Sequence, residues 1–197
     1  MQKIHKTLLV KGNFKLIYLI IILDWMNDDN SLGGMLSEVL HLITGNKILD
    51  VGTGFGIVVS KLMERSDTQV VSVDPEAWSF ASLHSAYEGH IKAGRLNLVE
   101  SRIEDFNVGN YVFDTSIAIA SLHHLADPVL GIKKMEKLTR GSIIVTDWNE
   151  ASAGIHNPHS RDSLAEKERS LKRHALEAGY TVLDHRYWYM LHKRVGK

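Results

Sequence analysis

The stretch Ile48-Leu49-Asp50-Val51-Gly52-Thr53-Gly54-Phe55-Gly56 decides the fold. Ile48, Leu49 and Val51 around a single polar residue, Asp50, read as a buried parallel strand. Three glycines alternate with other residues, and a new apolar run begins at Ile57. The pattern predicts a strand, a tight turn and a helix start. Glycine tolerates positive φ and, lacking Cβ, lets a ligand lie directly against the backbone, so Gly52, Gly54 and Gly56 predict a ligand site at this turn.

The spacing is G-x-G-x-G, which differs from the G-x-G-x-x-G that holds a dinucleotide pyrophosphate at a helix N-terminus. Asp50, at the strand end, would repel a phosphate and attract an ammonium group. A second acid, Asp74, follows another apolar run, Val70-Val71-Ser72-Val73. The pair resembles the first two motifs of the class I S-adenosylmethionine-dependent methyltransferases. That resemblance implies an α/β, Rossmann-like, doubly wound fold with a mostly parallel sheet, an antiparallel C-terminal strand and a short N-terminal helical extension. It also implies S-adenosyl-L-methionine as cofactor. Asp50 and the loop of Gly52, Thr53, Gly54 and Gly56 would hold its methionine end, and Asp74 would accept hydrogen bonds from its ribose hydroxyls.

A chain of 197 residues suffices for one well-buried domain. Lys plus Arg (23) equals Asp plus Glu (23), so no net field steers the protein towards nucleic acid or an anionic bilayer. Cysteine is absent, which excludes disulfides, thiolate metal sites, iron-sulfur clusters and methylation through a covalent cysteine. A cytoplasmic location is expected.

Lys3, Lys6, Lys11 and Lys15 precede an apolar run from Leu16 to Leu23. The basic region is too long for a secretory signal, and Asp24-Trp25-Met26-Asn27 offers no small-residue cleavage site. The run also falls short of the roughly 20 residues a membrane-spanning helix needs, so no membrane is expected. Asp28, Asp29 and Ser31 supply helix-start chemistry, and Leu32, Met35, Leu36, Val39, Leu40 and Ile43 recur at helical spacing until Gly45. Residues 1–46 are expected to form an N-terminal helical extension or cap, and residues 47–197 one compact cofactor-binding domain.

After Gly56, Ile57, Val58, Leu62 and Met63 mark the inner face of a helix. Asp74-Pro75 is expected to cap the next one, with Trp78 and Phe80 either bordering the nucleoside or packing in the core. A third strand spans Leu96 to Val99. In Ser101-Arg102-Ile103-Glu104-Asp105-Phe106, Arg102 stands where many relatives in the resembling family have an aspartate. The adenine role then falls to Glu104 or Asp105, with the Ile103 N–H for a ring nitrogen, although either carboxylate would equally serve as a solvated helix-start residue.

Tyr111 to Ala120 reads as a central fourth strand. Ligands in open α/β sheets bind beyond the strand C-termini at the switch point, here between the first and fourth strands. Ala120 therefore joins the cofactor-binding candidates, and His123 and His124 at that exit are the catalytic ones, with one of the two expected to face the pocket. Asp127-Pro128 starts another helix, with Gly141 after its end and a fifth strand from Ser142 to Thr146. A polar stretch from Ala151 to Arg161 carries His156, His159 and Arg161. Ser163-Leu164-Ala165-Glu166 reads as a capping box, and Tyr180 to Leu183 and Tyr187 to Leu191 as two final strands.

Methyl transfer from a sulfonium needs alignment and, for a hydroxyl or amine acceptor, removal of a proton, which suits a histidine. The N-P-P-Y type tetrapeptide of enzymes that methylate exocyclic amines of nucleic acids is missing, because Ser121-Leu122-His123-His124 occupies its place. A metal site from His124, His156 and His159 is geometrically conceivable, but scattered histidines more often face water or hydrogen-bond partners, and no metal is assigned. A small-molecule acceptor is expected. The alternatives are an RNA or protein acceptor, met by Lys133, Lys134, Lys137 and Arg140 or by Arg169, Lys172 and Arg173, and a cofactor-binding partner subunit without activity.

Overall fold

The computed structural model describes residues 31–107, 109 and 112–196. The Lys3 to Leu23 segment, Asp28, Asp29 and Tyr111 lie outside the described residues.

Strand β1 (Lys47–Val51) lies third in a seven-stranded sheet, order β3-β2-β1-β4-β5-β7-β6. β2 (Gln69–Asp74) and β4 (Phe113–Ile119) flank it, both parallel to it, with Ile48 opposite Val70 on one side and Thr115 on the other. β3 (Leu96–Glu100) and β5 (Thr139–Trp148) extend the parallel set outwards. β7 (Trp188–Arg194) inserts antiparallel between β5 and β6 (Thr181–Asp184). The Rossmann-like architecture and its reversed C-terminal strand are thus as the sequence predicts.

Helices cover both faces, which is why successive apolar residues such as Ile48 and Leu49 of β1 are both fully buried. On one face α1 (Leu32–Leu42) and α2 (Ile57–Met63) bury Met35, Leu36, Val39, Val59 and Leu62 against Ile48, Ile117 and Ile144. On the other, α5 (Pro128–Leu138) and α6 (Arg161–Glu177) bury Ile132, Met135 and Leu171 against Leu49, Ala118, Ile143 and Val145. Neighbouring residues such as Ile48 and Leu49 serve opposite cores, as the two-residue period of a strand requires. Two short helices, α3 (Phe80–Ala86) and α4 (Glu88–Lys92), connect β2 to β3.

Several expected boundaries move. Asp74 ends β2 and does not cap a helix: a 3-10 turn spans Ala77–Ser79 and α3 starts at Phe80. The N-cap of α6 is Ser160, whose side chain accepts from Ser163 N, so Ser163 is a helical residue and the capping box does not form. Gly141 lies within β5, not beyond a helix end. A Cβ there would sit 2.3 Å from the Asp114 carbonyl oxygen, so the close approach of β4 requires glycine. The Asp127 cap of α5, with Pro128 first in the helix, is as expected. Ser31 caps α1 by accepting from Gly33 N.

Candidate active site

The chain leaves β1 and turns back on itself at residues 52–56. Gly52 has φ +94°, and a Cβ on it would stand 2.4 Å from Ser121 Cβ, so the turn fits under the exit of β4 only without a side chain. Gly54 borders open space, with no atom within 4 Å of its Cβ position. Gly56 is buried, and a Cβ there would meet Leu83 Cδ2 at 2.6 Å. The three glycines therefore divide the work: Gly52 and Gly54 line a cleft, whereas Gly56 packs against α3 and starts α2.

That cleft, about 880 Å³, opens beyond the C-terminal ends of β1, β2 and β4. The β1 side contributes Val51, Gly52, Thr53, Gly54 and Phe55, and the β2 side Asp74, Glu76 and Trp78. Arg102, Ile103 and Glu104 follow from the segment after β3, and Ala120, Ser121, His124 and Leu125 from the β4 exit. Leu32 of α1 also reaches it. Phe55 and Trp78 meet edge to face at 4.6 Å and are both more than half exposed at its rim. Phe80, by contrast, is buried.

Hydrogen bonds tie the strand ends around this space. Asp74 Oδ2 accepts from Gly54 N (2.9 Å) and Oδ1 from Glu76 N (2.8 Å), so the second acid clamps the glycine turn. Gly52 N donates to Val73 O, Ser121 Oγ to Val51 O (2.6 Å), and Ala120 N to Thr146 O (2.8 Å). Ala120 has φ +49°, a conformation that costs a side-chain-bearing residue energy and here bends the chain out of β4 into the cleft wall.

Asp50 is fully buried beneath the turn, and the cleft is lined by its neighbours Val51 and Gly52. Its Oδ2 accepts from Ser72 Oγ (2.6 Å), which also pairs with Thr53 Oγ1 (2.6 Å), while Oδ1 has no hydrogen-bond partner. Burial pushes its carboxyl up to about 7, with the Asp74 charge adding to the rise and the Ser72 hydrogen bond opposing it. Of the adenine-end pair, Glu104 borders the cleft and Asp105 does not.

The two histidines also separate. His124 lines the cleft. Burial, then the neighbouring His123 and His159, holds its imidazole below the ordinary value. His123 is buried and lies outside the residues that line the cleft. Its Nδ1 lies 2.5 Å from Asp147 Oδ1, its backbone N donates to Asp147 Oδ2 (2.8 Å), and Asn157 Nδ2 lies 3.1 Å from its Nε2. Sequence reasoning missed this network. The signal was present in the topology: β4 and β5 are neighbours with Ile119 opposite Thr146, so the residues just beyond, including Asp147 and the histidines, exit side by side.

A strand-turn-helix with a bare backbone cradle, an acid at the tip of the neighbouring strand and a cleft at the switch point define a doubly wound α/β protein with an open ligand cleft. Residues 48–141 match the family model of a methyltransferase domain. Over 124 residues the chain is 27% identical to an O-methyltransferase of Aspergillus nomiae, covering 62% of this chain and 55% of that protein. Over 138 residues it is 27% identical to a tRNA U34 carboxymethyltransferase of Campylobacter fetus, covering 70% and 47%. The chain spans about half the length of these curated relatives. Among solved structures, the [4+2]-cyclase SpnF superposes with a TM-score of 0.65 at 18% identity, covering 87% of this chain and 86% of that one. The magnesium protoporphyrin IX methyltransferase of Synechocystis, with bound S-adenosylmethionine, does so at 0.62 and 12%, covering 95% and 87%. At these identities the superpositions show the fold alone. The chain thus resembles the class I, Rossmann-like, S-adenosylmethionine-dependent methyltransferases, a likeness the family model carries over residues 48–141.

Proposed function

We propose that the protein transfers a methyl group from S-adenosyl-L-methionine to an oxygen or nitrogen of a small-molecule acceptor. The observation that carries this reading is the cleft itself, bounded at one end by Gly52, Gly54 and Asp74 and at the other by His124. The open space over Gly54 and the carboxylate beside it fit a ligand laid against bare backbone with hydroxyls within reach of Asp74. The cofactor supplies an activated methyl group when bound. Asp74 would orient the ribose, Glu104 and the Ile103 N–H the adenine, and Ala120 the wall between the cofactor and the acceptor. His124, whose proton affinity burial and the neighbouring imidazoles lower, would take the acceptor's proton. Asp50 would act from beneath the turn, through Ser72 and Thr53.

An RNA or protein acceptor has weaker support in the charge pattern, although four of the matched curated relatives are named as tRNA U34 carboxymethyltransferases. Arg140 stands in β5, off the α5 face expected to carry it, and is paired with Asp114, while on α6 Lys172 is paired with Glu168 and Asp184. The cyclase among the structural neighbours is a reminder that this fold hosts other reactions. Among the described residues no helix is long and apolar enough to cross a membrane, and a cytoplasmic setting is part of the proposal.

Calorimetry with S-adenosylhomocysteine, followed by labelled-methyl transfer across a panel of small hydroxyl and amine acceptors and bulk tRNA, tests the assignment. Cofactor uptake with label in a small acceptor supports it. Label only in tRNA, or cofactor uptake with no transfer to anything, overturns it in favour of the RNA reading or of an inactive partner subunit.

A further inference from the structure

We propose that His123, His124 and His159 form a binding site for a single divalent transition-metal ion of the zinc class at the edge of the cleft. One ring nitrogen from each comes within 4.8 Å of the others. The rings are clustered, with centroids 4.1 Å apart for His123 and His124, 5.0 Å for His124 and His159, and 5.2 Å for His123 and His159. They arrive from two segments far apart in sequence, the exit of β4 and the loop after β5.

The separation of His124 Nδ1 and His159 Nε2 is 3.3 Å. Zinc-nitrogen bonds of about 2.0–2.1 Å in a tetrahedron place neighbouring ligand nitrogens about 3.3–3.4 Å apart, so this pair already spans one edge. His123 supplies a further feature. Metal-ligating histidines usually give their other ring N–H to a carboxylate, which fixes the tautomer and raises the basicity of the ligating nitrogen. Asp147 occupies that position at Nδ1, which leaves the Nε2 lone pair directed at the amide of Asn157. Ion binding exchanges that amide donor for the metal. Three neutral imidazoles and no thiolate suit zinc, cobalt or nickel over magnesium or calcium, which prefer oxygen.

The fourth histidine of the region is engaged elsewhere. His156 stacks on Trp148 at 5.5 Å and meets Tyr187 edge on at 4.8 Å. The triad is therefore His123, His124 and His159, with His123 in the place that sequence reasoning considered for His156. An ion there leaves coordination positions for water or for an oxygen donor entering from the His124 side. His124 then acts as a ligand when the metal is present and as a proton acceptor when it is absent. The site goes beyond the methyl-transfer reading and stands without it.

The test titrates cobalt(II), as a coloured zinc analogue, into untagged, chelator-treated full-length protein without cofactor, following visible absorption, with zinc competition and equilibrium dialysis for stoichiometry. One ion per chain with the spectrum of a tetrahedral nitrogen-oxygen site is expected. His159→Ala should abolish that spectrum, Asp147→Asn should weaken affinity by about 10–100-fold, and His156→Ala should leave it unchanged. Failure of the folded wild-type protein to bind cobalt or zinc overturns the proposal. So does binding that survives His159→Ala, a partly exposed position whose folding is checked by circular dichroism.

Discussion

His123 and Asp147 form a buried pair in which one carboxylate serves three donors: the His123 ring Nδ1, the His123 backbone N and the Trp148 backbone N. Both side chains are almost wholly shut off from water, at 3% and 0% exposure. The carboxylate thereby joins the exits of β4 and β5. Asp147→Leu would leave those donors without an acceptor, at about 1–3 kcal/mol for each buried unsatisfied group. Urea unfolding should show a large loss of stability with an unchanged slope, whereas Asp147→Asn should lose less.

The cofactor end turns on Asp74. Asp74→Ala removes the acceptor of the Gly54 N–H and the groups proposed to meet the ribose. Calorimetry should show S-adenosylhomocysteine affinity falling by about 1.5–3 kcal/mol. An unchanged dissociation constant would count against the ribose assignment.

Turnover should depend on His124 more than on His123. In metal-free protein held with chelator, His124→Ala should lower kcat while leaving cofactor affinity nearly intact. A base works unprotonated, so the rate should rise with pH through the His124 value and level off. Because burial and two neighbouring imidazoles lower that value, the midpoint of the rise should lie below that of an ordinary imidazole. A wild-type limb that persists in His124→Ala would assign the proton to another group.

Asp50 predicts a pH-dependent stability of unusual sign for an aspartate. Its carboxyl rises from 3.8 to about 7 on folding, so between those values the native state binds more protons than the unfolded one. Stability from this group is fully present below the unfolded value and is lost as pH rises through about 7, on the order of 4 kcal/mol in all. Asp50→Asn removes the titration. The difference in unfolding free energy between wild type and variant should therefore shift against the wild type from pH 4 to pH 8.

Glycines 52 and 54 should respond differently to alanine. Gly52→Ala combines φ +94° with a Cβ 2.4 Å from Ser121 and should destabilise the fold and the cleft together. Gly54→Ala meets no neighbouring atom, so its stability cost should be confined to the left-handed strain of about 1–2 kcal/mol. Its new methyl group would occupy cofactor space, and binding should weaken beyond the change in stability.

The body of the fold was legible because its signals are local: apolar strands of limited length, the alternating glycines, the Asp127-Pro128 start of α5. The switch point between β1 and β4 followed from strand order. What sequence did not reveal depends on contacts between distant residues. Asp50 reads as a ligand-facing acid until Ser72, 22 positions on, draws it beneath the turn. His123 and His124 are equivalent on paper, and only Asp147 and Asn157 separate the buried ring from the cleft-facing one. The cap at Ser160 eluded prediction because Ser163 offers the same chemistry three residues later.

The stitches at the sheet's upper rim, from Ser121 to Val51, Ala120 to Thr146 and Gly52 to Val73, run between main chain and main chain or through one small hydroxyl. Substituting larger side chains in the loop of residues 149–160 leaves every one of those links in place. The nucleoside half of the molecule is accordingly insulated from change in the half that would choose the acceptor. Under the proposed methyl-transfer reading, such a division would let descendants of this chain acquire new customers for the methyl group without relearning how to carry it.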